Sequence, residues 1–345
     1  MVLAWAAFFA VEGTAVSAYH LEDDHEIIRI TADLRTRSFL EVAGSWVRND
    51  IRFRPVYYTH RVAQARVFGD DFRAWGIYTT ALGAATFVLL YVTLRWLRFP
   101  RLAALAFAFF SLCGEQLGIW WRIGPNETVG MFCLAVACVG LARWSVTGSC
   151  GWRALFWLGS VLASLSKESF VAVLPALVLA AAWSLVVERG YTWRTALVAC
   201  IPDACILGAT AVAEALLIVL VFGTERMGYA GVQGITLHRF WVAAIHLLGL
   251  PEELTMAGLV VLYLLVARSG RRRALQALVP GLVLAAYVIG TQAFVYAKSG
   301  LYERYRVPGA LAAALLVACL VRGVASAARP GADETSSPAE RRRTR

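Results

Sequence analysis

The chain has 345 residues, of which 59% are hydrophobic and only 16% are charged, and its mean hydropathy is +0.62. Soluble domains usually carry about 25% charged residues, so this composition excludes an ordinary soluble protein. The net charge of +10 comes almost entirely from arginines. Most of them flank apolar segments, where arginines act as topology signals and headgroup ligands, so no nucleic-acid partner is expected.

Apolar segments long enough to cross a bilayer recur along the chain. We predict an all-α, polytopic transmembrane bundle with about ten spans. In chain order the predicted spans cover residues 2–19, 76–96, 102–120, 127–146, 152–166, 169–187, 196–222, 255–268, 275–297 and 309–326.

The basic residues at the loop ends predict the orientation. Eleven of them lie on one side of the predicted bundle, whereas the short loops of the other side hold five. The first side is therefore expected to be cytoplasmic, in a plasma (inner) membrane. Residues 1–326 would form one transmembrane module, and the polar tail, 327–345, is expected to be disordered and cytoplasmic.

Two longer segments are predicted to lie outside, residues 20–75 and 223–254. The first contains IIRITADLRTRSFLEVAGSWV (27–47) and VAQARVFGDDFRAW (62–75), whose apolar spacing predicts amphipathic helices. We expect these interfacial helices to lie with their apolar faces in lipid and their arginines toward headgroups. The second segment combines a Gly-rich loop with a short apolar helix.

Four carboxylates and two histidines crowd the start of the first outer loop, in HLEDDHEIIRI (20–30). A solvated flank is the simplest interpretation. However, the acids directly follow an apolar segment at the membrane surface, and arginines come after them. Polar groups also recur at the same predicted level elsewhere in the chain, which favours a functional site.

This layout resembles the GT-C superfamily of integral-membrane glycosyltransferases, which use polyprenyl-phosphate sugars. A first span leads into a paired-acid motif in a large outer loop. Shorter matches follow in RFRPVYY (52–58), RIGPNET (122–128), SKES (166–169) and YERYRVPG (302–309). Protein mannosyltransferases and aminoarabinose transferases are the members that it resembles most. The resemblance implies sugar transfer on the outer face, to a glycan, lipid or protein acceptor of the cell envelope.

The acids suit the general-base step of such a reaction. The acceptor hydroxyl must lose its proton as it attacks the anomeric carbon, and a carboxylate within hydrogen-bond reach can take it. Asp23 or Asp24 is the predicted catalytic base, and direct attack would invert the anomeric configuration. His25 and Glu26 are predicted to bind substrate. No cofactor is required on this interpretation, although a divalent cation held by these residues stays an open alternative.

The leaving group is a lipid phosphate, whose departure requires positive charge. Arginine suits phosphate because its planar fork donates two parallel hydrogen bonds. The predicted donor phosphate ligands are Arg52, Arg54, Lys167, Arg304 and Arg306. Two alternatives stay open: the arginines could anchor headgroups at the interface, and Lys167 could form an ion pair with its neighbour Glu168.

RIGPNET joins two predicted spans. In the simplest interpretation it is a turn, in which Pro125 breaks the helix and Asn126 or Thr128 caps the next one. In the functional alternative, Asn126 and Glu127 bind sugar hydroxyls in an outward cavity.

The sequence therefore favours a membrane glycosyltransferase. A transporter or flippase of a lipid-linked or small solute is the main alternative, and a non-enzymatic assembly subunit is a third. The glycosyltransferase hypothesis expects the outer polar segments to converge at one place.

Overall fold

The fold is helical throughout the part of the chain that the computed structural model describes, and no β-strand occurs there. The structure describes residues 24–49, 53–218, 220, 236–248, 254, 258, 261, 283, 286, 287, 290–298, 300, 306, 307 and 309–327. The predicted all-α class is thus confirmed for these residues.

The α-helices are numbered in chain order. They are α1 (Asp24–Leu34), α2 (Phe39–Asn49), α3 (Pro55–Phe68), α4 (Phe72–Trp96), α5 (Arg101–Leu112), α6 (Gly118–Trp121), α7 (Glu127–Thr147), α8 (Cys150–Ser164), α9 (Leu174–Arg189), α10 (Trp193–Ala199), α11 (Ile201–Leu217), α12 (Leu237–Leu248) and α13 (Gly309–Ala327). Short 3-10 helices cover Glu115–Leu117 and Glu168–Val173.

Three helical stretches among the described residues are long and apolar enough to cross a membrane: Phe72–Trp96, Glu127–Thr147 and Glu168–Arg189. The pair α10 and α11 makes a fourth if it is counted as one bent span. The prediction of about ten spans is therefore not confirmed. The predicted span 2–19 and most of 255–268 and 275–297 lie outside the described residues, as do residues 223–235 and 328–345.

Two predicted spans are broken rather than continuous. The span expected at 102–120 ends as an α-helix at Leu112, and Gly114 then adopts a φ of 118°, a conformation that glycine tolerates best. The span expected at 196–222 bends by 54° between α10 and α11. Pro202 lies in the first turn of α11, where a residue without an N–H starts a helix but cannot continue one.

The membrane helices share one large apolar core, in which α7 and α8 pack very closely. Glycine permits this approach. A Cβ atom on Gly159 of α8 would lie 2.6 Å from the backbone nitrogen of Ala137 and 2.7 Å from the carbonyl oxygen of Cys133. Small residues bring membrane helices together in this way because they let the backbones touch.

We expect Gly159→Ala to lower the free energy of unfolding by about 1–3 kcal/mol, because the added methyl group would force α7 and α8 apart. Gly208→Ala on α11 is the matched control, since a Cβ there meets nothing within 4 Å. It should be neutral or slightly stabilising, because alanine is the better helix former. Unfolding in a fixed detergent measures both, and equal effects would contradict the packing explanation.

Helices α1, α2 and α3 build a second, smaller core. Ile27, Ile30 and Leu34 of α1 pack with Val62 and Trp75, so this apolar face contacts protein rather than the lipid that we expected. The pattern predicted the apolar face correctly, but the face is covered by neighbouring helices.

Local signals set the ends of these helices. Ser38 and Glu41 form a capping box at the start of α2, where the Ser38 backbone N–H donates to the Glu41 carboxylate at 2.8 Å. The helix predicted across 62–75 is divided instead. Helix α3 ends at Phe68 and is followed by Gly69, which has a φ of 54°. Helix α4 begins after Asp71, whose carboxylate accepts from the N–H groups of Arg73 and Ala74.

Candidate functional site

Charged side chains from four separate segments meet at one end of the membrane helices. One segment is α1, another runs from the residue before α3 into that helix, the third is the start of α7, and the fourth is the turn after α8. We call this group the charged cluster. Its members are Glu26, Arg54, Arg61, Glu127, Lys167 and Glu168.

Arg54 and Glu168 form the best-defined contact of the cluster. The Arg54 Nε donates to both carboxylate oxygens of Glu168, at 3.1 and 3.0 Å, and Nη2 donates to Oε2 at 2.7 Å. Arg54 is only 4% exposed. Burial acts to lower the pKa of its guanidinium, but the Glu168 carboxylate outweighs burial and holds that pKa above its usual range. Arg54 therefore stays charged in its buried position.

Lys167 and Glu127 form the second buried pair, in which the Lys167 Nζ donates to the Glu127 carboxylate. Glu127 is the first residue of α7, so its charge also lies beside the positive end of that helix. Lys167 also acts electrostatically on its sequence neighbour Glu168, but the hydrogen bonds to the Glu168 carboxylate come from Arg54. The two pairs thus connect the residue before α3 and the start of α7 to the turn after α8.

Arg61 links α1 to the loop before α7. Its Nη1 donates to the carbonyl oxygen of Gly124 at 2.8 Å, and its Nε lies 3.6 Å from the Glu26 carboxylate. The Tyr57 hydroxyl lies 3.0 Å from the same Gly124 oxygen and 3.3 Å from Glu26. The Arg61 guanidinium also lies over the Tyr57 and Trp75 rings, at 5.4 and 5.9 Å.

His60 adjoins the cluster on α3 without adding charge to it. Burial and the neighbouring Arg61 lower the pKa of His60 to about 4, so the imidazole is neutral at physiological pH. Its Nε2 and the Tyr78 hydroxyl are 2.7 Å apart and share a hydrogen bond.

The structure brings four predicted site residues into the cluster, namely Glu26, Arg54, Glu127 and Lys167. Asn126 is buried directly before Glu127. Helix α7 begins at Glu127, as the turn interpretation expects, but the Asn126 side chain makes no capping bond, and the Thr128 hydroxyl donates to Pro125 instead.

The other predicted site residues lie elsewhere or outside the described part of the chain. His25 is exposed on α1, and Arg306 is buried shortly before α13. Asp24 begins α1, without a described side chain. The residues outside the described part are Asp23, Arg52 and Arg304. Their assigned roles stay predictions.

Two residues in or beside the charged cluster, Tyr57 and Arg61, were not predicted. The pairing of Glu168 with Arg54 was not predicted either. The first two had a signal in RFRPVYYTHR: a spacing of three and then four residues after Arg54 places side chains on one face of a helix. The pairing of Glu168 had none, because it joins residues that are 114 positions apart.

Within the described residues, no group of three or more His, Cys, Asp and Glu side chains is placed to hold a metal ion. The acidic motif continues into Asp23, outside those residues. A divalent cation therefore stays an untested alternative.

The opposite end of the same helices has a different chemistry. Helix α7 carries Glu127 at one end and Arg143 near the other, about 24 Å along its axis. There Arg143 lies over Trp96 and Trp152, and Arg189 donates to the last carbonyl groups of α7. The paired acids and the aromatic-packed arginines thus mark the two ends of the bundle.

An apolar crevice of about 90 Å³ lies between the helices, among Leu94, Leu141, Leu177 and Leu311. Its lining is almost entirely apolar, so it suits hydrocarbon and not a sugar or a phosphate.

No protein-family model, curated protein or solved structure matches this chain.

Proposed function

We propose that the chain is a membrane glycosyltransferase that moves a sugar from a polyprenyl-phosphate donor to an acceptor hydroxyl on the outer face. The observation that supports it best is the convergence of the first outer loop, the RIGPNET loop and the SKES turn in the charged cluster. These segments are far apart in sequence. If their charged side chains served only to solvate the ends of loops, the segments would have no reason to meet. Asp23 or Asp24 would act as general base beside this cluster, with inversion at the anomeric carbon.

The pairing in the cluster limits how a phosphate could bind. Arg54, Lys167, Glu127 and Glu168 are two cations and two acids, so the group offers no net positive charge. A donor phosphate must therefore compete with a carboxylate or share a cation with it. Arg54 can share, because its bonds to Glu168 use Nε and Nη2 and the guanidinium fork has further N–H donors. Arg54 is for this reason the strongest phosphate ligand in the proposal.

A transporter or flippase is the second candidate. It is favoured by the bent pair α10 and α11 and by the broken segment after α5. Discontinuous helices of this kind line the substrate sites of many transporters.

The direct test offers purified protein, in a bilayer mimic, polyprenyl phosphates that carry mannose, glucose or arabinose, and measures release of free polyprenyl phosphate. We expect release from at least one donor, and Arg54→Lys should slow it by about tenfold because lysine keeps the charge but loses the fork.

Arg153→Lys is the matched control, because Arg153 binds a buried acid with comparable geometry at the opposite end of the bundle. It should keep near wild-type turnover per folded molecule. No release from any donor, together with movement of labelled lipid across a vesicle membrane, would favour the transporter instead.

A further inference from the structure

Helix α11 buries two carboxylates on one face. Asp203 is 0% exposed and Glu214 is 2% exposed. They are eleven residues apart, which is about three helical turns, so both side chains point the same way. Both approach α8, where Arg153 faces Asp203 and Ser164 faces Glu214. The two acids therefore lie on the same face of α11 but have different partners.

Asp203 is fully bonded. Arg153 donates to both of its oxygens at 2.8 Å, and the Trp157 Nε1 donates to Oδ1 at 2.7 Å. Its negative charge is thus balanced and hydrogen-bonded inside the protein, as buried carboxylates normally are.

Glu214 has no such partners. Neither of its carboxylate oxygens accepts a hydrogen bond from the described residues. The Ser164 hydroxyl lies beside Glu214, but it is also 2.9 Å from the Val161 carbonyl oxygen, and its single hydrogen can serve only one of the two groups. The charged side chain that acts on Glu214 is another acid, Glu168, which is bound to Arg54. A buried carboxylate in this position destabilises the protein unless something else donates to it.

We propose that Glu214 binds the sugar of the donor, through hydrogen bonds from sugar hydroxyls to its carboxylate. This inference rests on the proposed glycosyltransferase function. A phosphate is the wrong ligand for Glu214, because it would bring a further negative charge next to Glu168. The neighbours run in the order Glu214, Glu168, Arg54, which suits a ligand whose phosphate contacts Arg54 while its attached sugar extends toward Glu214.

The test compares Glu214→Gln with Asp203→Asn, two isosteric changes on the same helix face. Unfolding midpoints without ligand are measured first. Asp203→Asn should lower the midpoint because it weakens a satisfied ion pair, whereas Glu214→Gln should leave it unchanged or raise it. A midpoint that falls equally in both variants would place the partner of Glu214 within the chain and overturn the proposal.

Binding is then measured for polyprenyl phosphate with and without a sugar, using the mannose, glucose and arabinose donors. Glu214→Gln should weaken binding of the preferred sugar-bearing lipid by about tenfold or more and leave the bare phosphate unaffected. Asp203→Asn should keep the wild-type preference for the sugar. An unchanged preference in Glu214→Gln would overturn the assignment of Glu214 alone, whereas wild-type protein that binds neither lipid would overturn the proposed function as well.

Discussion

Replacing Lys167 by methionine should lower the free energy of unfolding by about 3–5 kcal/mol, because the buried Glu127 carboxylate would lose the ammonium group that it binds. Lys167 is 5% exposed and Glu127 is 0% exposed, so water cannot take over the role of the lost ammonium group. Denaturant unfolding in a fixed detergent measures the change.

Two further variants separate this effect from a general loss of packing. Adding Glu127→Gln to Lys167→Met removes the carboxylate charge that has lost its ammonium group and should restore a large part of the loss. Arg35→Met breaks an exposed pair with Asp70, whose contact distance is 3.0 Å, and should cost less than about 1 kcal/mol. If Lys167→Met is as mild as Arg35→Met, the buried pair does not hold the cluster together.

Long apolar runs made the main membrane helices predictable. Helices α4 and α7 lie close to where hydropathy placed spans, because their length and composition leave few alternatives. The breaks were not predicted, since they depend on single residues inside apolar runs. Gly114 and Pro202 change the backbone at one point each, and an average over a window of some 19 residues does not register them.

The sequence located the charged segments but not the bonds between them. Lys167 and Glu168 are neighbours in the chain, and a neighbouring pair was one of the expected arrangements. The fold instead provides each with a closer partner, Glu127 and Arg54. Which acid binds which cation depends on how α3, α7 and α8 are placed, and this information is absent from the local sequence.

The same limit applies to buried apolar and acidic faces. The spacing of Ile27 and Ile30 shows that α1 has an apolar face. The sequence pattern is the same whether lipid or protein contacts that face. Likewise, the sequence separation between Arg153 and Asp203 equals that between Ser164 and Glu214. Only the structure shows that Asp203 is hydrogen-bonded to its partner and that Glu214 is not.

The acidic motif carries the largest expected effect on catalysis. Helix α1 begins at Asp24, and Glu26, in its first turn, lies near Arg61 in the charged cluster. The paired acids therefore lie two and three residues before Glu26, a member of the charged cluster. A general base typically contributes about 10²–10⁴-fold in rate, and asparagine matches the shape of aspartate but cannot accept the proton. One of Asp23→Asn and Asp24→Asn should lose activity by that order while still binding the donor.

Glu22→Gln is the control for a simple change of local charge, and it should retain most of the transfer rate. The measurement is turnover of the sugar-bearing lipid per folded molecule, with donor binding and the unfolding midpoint recorded for each variant. A variant that still binds the donor but has lost turnover identifies the residue as the proton acceptor. Replacing an acid that only supports the fold would reduce both donor binding and turnover. If both asparagine variants transfer sugar at nearly the wild-type rate, the motif is a solvated flank, and the glycosyltransferase proposal should be abandoned.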